Sequence, residues 1–133
     1  MPFMPFAGAP DMAERKQGGK VLVVEDVMLI RMATVDMIEQ IGFSAAEAGD
    51  GSAALALLRK DSDIEILLTD LGLPGMGGHQ LVEEALRLRP GLKVIIASGY
   101  SLEVSAGRRP GNQEIVHLTK PYDLGQLRRA LGV

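Results

Sequence analysis

Residues 66–78, ILLTDLGLPGMGG, place one acidic residue, Asp70, between an apolar run and a loop that contains four glycines and a proline. The run from Ile64 to Thr69 is uninterrupted enough to predict a strand covered on both faces, as strands of parallel sheets are. A carboxylate at the end of such a strand is half buried, and its charge is costly unless another group compensates it. The function of this stretch therefore depends on which other residues reach Asp70.

Short apolar runs alternate with amphipathic stretches along the rest of the chain. Four further strands are predicted, at Val21–Val24, Phe43–Ala48, Val94–Ala97 and Ile115–Leu118. Helices are predicted at Val27–Ile41, around Ala54–Leu58, at His79–Leu88 and after Asp123. Because crossovers between parallel strands are right-handed and need a covering helix, this order predicts a doubly wound α/β fold with a five-stranded parallel sheet.

Two segments depart from this alternation. Residues 1–19 hold three of the seven prolines and show no sustained periodicity, so we expect a disordered N-terminal tail before one folded domain at 20–133. The crossover between the fourth and fifth strands, residues 100–114, has few large apolar side chains, which predicts a short, frayed or disordered fourth helix.

Composition excludes several classes of function. The net charge of −3, without a basic stripe, argues against a nucleic-acid partner. The absence of cysteine excludes thiol chemistry and thiolate metal sites. No apolar run is long enough for a membrane span, and the N-terminus lacks the pattern of a secretory signal. We therefore expect a cytoplasmic protein with no membrane partner.

Polar residues follow four of the five predicted strands. The first strand is followed by Glu25 and Asp26, the third ends at Asp70, and the fourth and fifth lead to Ser98 and Lys120. Ligands of open parallel sheets bind outside the carboxyl ends of the strands. If the first and third strands are neighbours, three carboxylates meet there and need a cation, for which oxygen ligands favour Mg²⁺. Ser98 and Lys120 could then hold a phosphoryl group on Asp70.

Each of these residues also has a plain structural explanation when it is taken alone. The acidic pair could serve merely as the cap of the first helix, Ser98 could belong to a turn, and Lys120 could be a surface lysine before a helix-starting proline. For the residues taken together, the structural explanation is weaker, because it must account for an acid pair, an acid, a hydroxyl and a lysine at the ends of the first, third, fourth and fifth strands.

Four segments occur in order: VLVVEDVMLIR, LLTDLGLPGMGG, VIIASGY and LTKPY. With them the chain resembles, from about Val21 to Leu131, the receiver domain of two-component response regulators. The resemblance implies a flavodoxin-like fold with strand order 2-1-3-4-5. It further implies that Asp70 accepts phosphate from a histidine kinase or histidine phosphotransfer protein, and that Mg²⁺ is held by Glu25, Asp26, Asp70 and the main-chain carbonyl of Gly72.

The resemblance also assigns the remaining polar residues of this edge. Ser98 would bond one phosphoryl oxygen and Lys120 would pair with another, so that the chain catalyses only its own phosphorylation and dephosphorylation. A cis peptide bond between Lys120 and Pro121 is compatible with the resemblance, but the sequence does not decide it.

The chain departs from the family pattern of an aromatic switch residue on the fifth strand. Three residues before Lys120 the chain has His117, for which we expect a partly buried imidazole with one hydrogen bond rather than a pH sensor. Tyr100, after the fourth strand, could take over part of the switch, or could be a surface aromatic residue. The fourth strand of this chain leads into Ala-Ser-Gly-Tyr, which resembles the fourth strand of a receiver subgroup and that of receivers linked to sensor kinases. We expect residues 101–113 to be mobile before phosphorylation.

We expect no output domain after Val133, and thus a stand-alone receiver, monomeric or weakly dimeric, that acts by binding an unknown output protein. The alternative is a degenerate receiver that serves as an unphosphorylated scaffold, although the acid pair, acceptor and lysine are all retained. An enzyme with turnover is disfavoured, because a haloacid-dehalogenase-type phosphatase needs a second Asp where this chain has Gly72. A nucleotide-binding domain would need a glycine-rich loop where Glu25 and Asp26 stand.

Overall fold

The computed structural model describes residues 19–99 and 115–133, which form five strands and four helices. They are β1 (Lys20–Val24), α1 (Met28–Ile41), β2 (Ser44–Ala48), α2 (Gly51–Lys60), β3 (Ile64–Asp70), α3 (Gly78–Leu88), β4 (Lys93–Ser98), β5 (Ile115–Thr119) and α4 (Leu124–Leu131). The predictions for the tail, for Tyr100 and for the fourth crossover lie outside the described residues, apart from Gly19.

The five strands form one parallel sheet in the order β2-β1-β3-β4-β5. This confirms the predicted doubly wound, flavodoxin-like arrangement. Val24 of β1 lies opposite Thr69 of β3, and Asp70 lies opposite Ala97 of β4. Because the strands are parallel and end at nearly the same level, the residues that follow them meet at one edge of the sheet.

The sheet is covered on both faces, as the continuous apolar strands predicted. On one face, Leu22, Leu67 and Val94 pack with residues of α2 and α3. On the other, Val23 and Ile95 pack with residues of α1 and α4. Buried side chains alternate between the two clusters along each central strand, so both faces are fixed by hydrophobic packing.

Local signals set the ends of the helices. The side chain of Asp50 accepts a hydrogen bond from the amide of Ala53 at 2.8 Å, which caps α2. Asp123 and Gln126 form a capping box at the start of α4. Gly42 ends α1 in the left-handed region at φ 115°. None of the described helices is long and apolar enough to cross a membrane.

A set of polar contacts stabilises the amino-terminal edge of the sheet. The guanidinium of Arg89 donates hydrogen bonds to four main-chain carbonyls between the end of α2 and the start of β3, those of Leu58, Asp61, Ser62 and Ile64. Lys20 and Asp61 form an ion pair at 2.5 Å. The hydrogen bond from Lys20 lowers the pKa of Asp61, so this contribution to stability is lost as the pH falls below the ordinary carboxyl range.

Candidate functional site

Three carboxylates meet at the carboxyl edge of the sheet. Glu25 and Asp26 follow β1, Asp70 ends β3, and each offers an oxygen within 4.8 Å of the others. Glu25 is buried, Asp70 is half-buried and Asp26 is exposed, so the group, which we call the acidic cluster, opens to solvent through Asp26. Sequence reasoning predicted this meeting from the adjacency of β1 and β3, and the structure confirms it.

Lys120, which follows β5, supplies the counter-charge of the acidic cluster. Its Nζ lies 3.1 Å from Oε1 of Glu25 and 3.3 Å from Oδ1 of Asp70. Desolvation lowers the pKa of Lys120, but the hydrogen bond to Glu25 and the charge of Asp70 raise it, and the net shift is upward. The ammonium is therefore fully charged at neutral pH. The Lys120–Pro121 peptide bond is cis.

The acidic pair does not cap α1. The N-cap of α1 is Val27, which has no side-chain cap hydrogen bond. Glu25 instead folds back, and its Oε2 accepts a hydrogen bond from the amide of Val27 at 3.1 Å while its Oε1 faces Lys120. The explanation of this pair as a helix cap alone is therefore wrong.

Glycine lets α3 begin directly against the end of β3. The amide of Gly78 donates to the carbonyl of Leu71 at 2.9 Å. A Cβ at Gly78 would lie 2.5 Å from the carbonyl oxygen of Asp70 and 2.7 Å from Cα of Leu71. Gly72, by contrast, is exposed, and a Cβ there would meet nothing within 4 Å. The loop after Asp70 is thus tight at Gly78 and open at Gly72.

Ser98 and His117 lie at the β4–β5 side of this edge. Ser98 is the half-buried last residue of β4, and its carbonyl accepts from the amide of Lys120 at 2.7 Å. His117 pairs with Ile96 across the sheet and is more exposed than the partly buried imidazole expected from the sequence. Desolvation and the nearby imidazole of His79 lower the pKa of His117.

Four residues near the acidic cluster were not singled out from the sequence as functional. Arg31 donates from Nη1 to the carbonyl of Glu25 at 2.7 Å. The hydroxyls of Tyr122 and Thr34 lie 2.8 Å apart, which ties the loop after Lys120 to α1. Gly78 is the fourth of these residues, and only its close approach to β3 sets it apart from neighbouring glycines.

The chemistry of the acidic cluster fits a hard divalent cation. Its donors are carboxylate oxygens, with no imidazole or thiolate among them, and Mg²⁺ takes one or two carboxylates together with waters and a phosphate oxygen. The residues that could hold the ion are Glu25, Asp26 and Asp70. Lys120 is placed to pair with an anionic group bound to Asp70.

Comparisons with known proteins agree with this geometry. The family model of the response regulator receiver domain matches residues 21–132. The chain is 32% identical over 108 residues to the sensor kinase CckA of Brucella abortus, covering 80% of this chain and 11% of the kinase. It is 25% identical over 112 residues to sporulation initiation phosphotransferase F of Bacillus subtilis, covering 84% and 90%. A CheY-like receiver structure from Methanospirillum hungatei is similar with a TM-score of 0.71 at 26% identity, covering 83% and 87%.

The strand order defines a flavodoxin-like α/β protein, and the acidic cluster lies at the carboxyl edge of its sheet. The chain belongs to the response regulator receiver family. Receiver domains act in two-component systems, interact with histidine kinases or phosphotransfer proteins, and bind Mg²⁺ in an acidic pocket.

Proposed function

We propose that Asp70 accepts a phosphoryl group from a phosphohistidine of a histidine kinase or histidine phosphotransfer protein, with Mg²⁺ held by Glu25, Asp26, Asp70 and the carbonyl of Gly72. The observation that supports this most strongly is the clustering of three carboxylates within 4.8 Å, with Lys120 at 3.3 Å from Asp70. Three carboxylates this close together repel one another, and a bound cation would offset that repulsion.

The proposed transfer needs little from the protein beyond position and charge. An oxygen of the Asp70 carboxylate attacks phosphorus, the phosphorus–nitrogen bond of the phosphohistidine breaks, and the leaving imidazole takes a proton from solvent. The bound cation would neutralise charge on the phosphoryl oxygens. Lys120 pairs with one phosphoryl oxygen and the hydroxyl of Ser98 donates to another, which stabilises the charge that gathers there.

The proposed output is a change in protein binding. A phosphoryl group on Asp70 draws Lys120 away from Glu25 and toward the new charge, and the segments attached to β4 and β5 follow. His117 and Tyr100 are proposed to take part in this switch, because His117 lies on β5 and Tyr100 follows β4 in the sequence. Phosphorylation would thereby change the affinity of an output protein for this side of the domain.

The direct test is incubation with Mg²⁺ and a small phosphodonor, followed by intact mass measurement. We expect a gain of one phosphoryl group in the native protein and none in Asp70→Ala. Asp123→Ala is the matched control, because it removes another carboxylate, at the start of α4. No gain in the native protein with any donor, together with no Mg²⁺ binding, would favour the unphosphorylated scaffold instead.

An exposed apolar patch supports a protein as the donor. Five large apolar residues at the start of α1 are exposed: Val27, Met28, Leu29, Ile30 and Met32, which we call the α1 patch. It begins directly after Asp26, on the open side of the acidic cluster. Exposed large apolar side chains grouped in one segment are typical of protein interaction sites. A donor that reaches Asp70 would cover this patch, so we propose that the patch contacts the donor protein.

Leu29→Glu is expected to separate protein donors from small ones. Leu29 is 76% exposed, so the substitution leaves the core intact, but a carboxylate would be desolvated under a docked partner. We expect transfer from a histidine phosphotransfer protein to slow about 10-fold, the equivalent of roughly 1.4 kcal/mol. Phosphorylation by a small phosphodonor should not change. Leu88→Glu, at the far end of α3 and 40% exposed, is the control; equal slowing in both variants would contradict the assignment.

A further inference from the structure

Arg31 of α1 connects the end of β1 to the edge strand β2. Its Nη1 donates to the main-chain carbonyl of Glu25 at 2.7 Å, and its Nε donates to Oε1 of Glu47 at 3.1 Å. The side chain of Arg31 is 19% exposed, whereas that of Glu47 is 46% exposed. The bond to Glu25 is therefore the better shielded of the two, and the ion pair with Glu47 is screened by solvent.

The backbone of Glu25 is held on both sides. Its amide donates to the carbonyl of Ala48 in β2 at 3.1 Å, and its carbonyl accepts from Arg31. The carbonyl of Glu25 and the amide of Asp26 belong to the same planar peptide group. Fixing that carbonyl therefore also fixes the direction in which the chain continues into Asp26.

Asp26 depends on this backbone restraint more than its two partners do. The Glu25 carboxylate is held by the amide of Val27 and by Lys120, and Asp70 is held by Lys120. Asp26 is exposed, and among the described residues its carboxylate accepts no hydrogen bond. Among the described residues, only the main chain restrains the point from which its carboxylate extends toward the acidic cluster.

We infer that Arg31 is a positioning residue for the acidic cluster, holding the Glu25–Asp26 peptide so that the carboxylates of Glu25, Asp26 and Asp70 reach one divalent cation. The inference rests on the proposed Mg²⁺ site. Residues that orient metal ligands without touching the metal change its affinity by about 10- to 100-fold when they are removed.

The sign of the effect separates positioning from simple electrostatics. The guanidinium is always charged, so its removal reduces the local positive potential and by itself would strengthen cation binding. Loss of positioning weakens binding instead. A weaker Mg²⁺ complex in Arg31→Ala therefore cannot come from the lost charge.

The test is Mg²⁺ affinity measured by calorimetry on the native protein and on three variants of this contact. We expect Arg31→Ala to weaken Mg²⁺ binding about 10-fold. Arg31→Lys, which keeps one donor for the Glu25 carbonyl, should recover most of the affinity. Glu47→Gln, which removes the charge of the other partner, should stay within about twofold of the native protein, because exposed ion pairs contribute little. Urea unfolding with a chelator present identifies variants that are folded.

A kinetic readout complements the binding measurement. In phosphorylation by a small phosphodonor, Arg31→Ala should raise the Mg²⁺ concentration for half-maximal rate by the same factor, while the rate at saturating Mg²⁺ stays close to native. Arg31→Gln provides the measurement should Arg31→Ala fail to fold. Unchanged or tighter Mg²⁺ binding in a folded Arg31 variant, or equal weakening in Glu47→Gln, would overturn the inference. Absence of Mg²⁺ binding to the native protein would instead reject the proposed site itself.

Discussion

Gly78→Ala is expected to destabilise the protein by about 1–3 kcal/mol, the usual cost of forcing a methyl group into a filled space. The new Cβ would lie 2.5 Å from the carbonyl oxygen of Asp70 and 2.7 Å from Cα of Leu71. Both contacts are backbone, so α3 or the end of β3 must shift. Because β3 carries Asp70, we also expect slower phosphorylation by a small phosphodonor. Urea unfolding and intact mass over time measure the two effects.

The adjacent glycine, Gly77, provides a matched control for this substitution. A Cβ at Gly77 would meet nothing within 4 Å, so Gly77→Ala is expected to change stability by less than about 1 kcal/mol. If Gly77→Ala costs as much as Gly78→Ala, the close approach of α3 to Asp70 is not the reason.

Lys120→Met is expected to lower stability by about 1–3 kcal/mol in the absence of divalent cations, because it leaves a buried carboxylate without its partner. Glu25 is only 6% exposed and would face Asp70 with no counter-charge. Mg²⁺ bound to the acidic cluster can neutralise the same carboxylates, so saturating Mg²⁺ should recover part of the loss. Thermal unfolding of the native and variant proteins, with a chelator and with Mg²⁺, tests both statements.

The pH dependence of this difference follows from the raised pKa of Lys120. A raised lysine pKa means that the folded state holds the proton more tightly than the unfolded state does. The contribution is therefore complete below the ordinary lysine pKa of 10.5 and is lost as the pH rises through the higher folded value. The stability gap between native protein and Lys120→Met should stay constant near neutral pH and narrow above about 10.5.

Lys20→Met is the control for the effect of Mg²⁺. Lys20 pairs with Asp61 at the opposite edge of the sheet, away from the acidic cluster. Mg²⁺ should therefore leave the effect of Lys20→Met unchanged. An equal recovery of both lysine variants by Mg²⁺ would show a general ionic effect rather than replacement of one cation by another.

The arrangement of the strands could be predicted from sequence because hydrophobic runs and parallel crossovers obey strong rules. With β1 and β3 as neighbours, the meeting of Asp26 and Asp70 follows from the parallel strands. Their roles in phosphorylation and metal binding remain predictions. Arg31 could not be found in this way, because its contact is to a main-chain carbonyl, whose position depends on backbone geometry and not on residue type.

Two other features could be recognised only from the structure, for a similar reason. Gly77 and Gly78 are identical in sequence terms, and only the distance to β3 distinguishes the open position from the closed one. The exposure of His117 depends on which side chains cover its face of the sheet, which the order of apolar residues does not encode.

The pairing of Lys120 with Glu25 joins residues that are 95 positions apart in the chain. The carboxylates come from β1 and β3, which are neighbours, whereas the lysine arrives only when β5 has added to β4 at the far side of the sheet. Contacts between such distant parts of a chain form late, because closing long loops costs entropy before any contact rewards it. A chain that has assembled only its first three strands would already gather the acids but would lack the ammonium group. Completion of the site therefore reports completion of the fold.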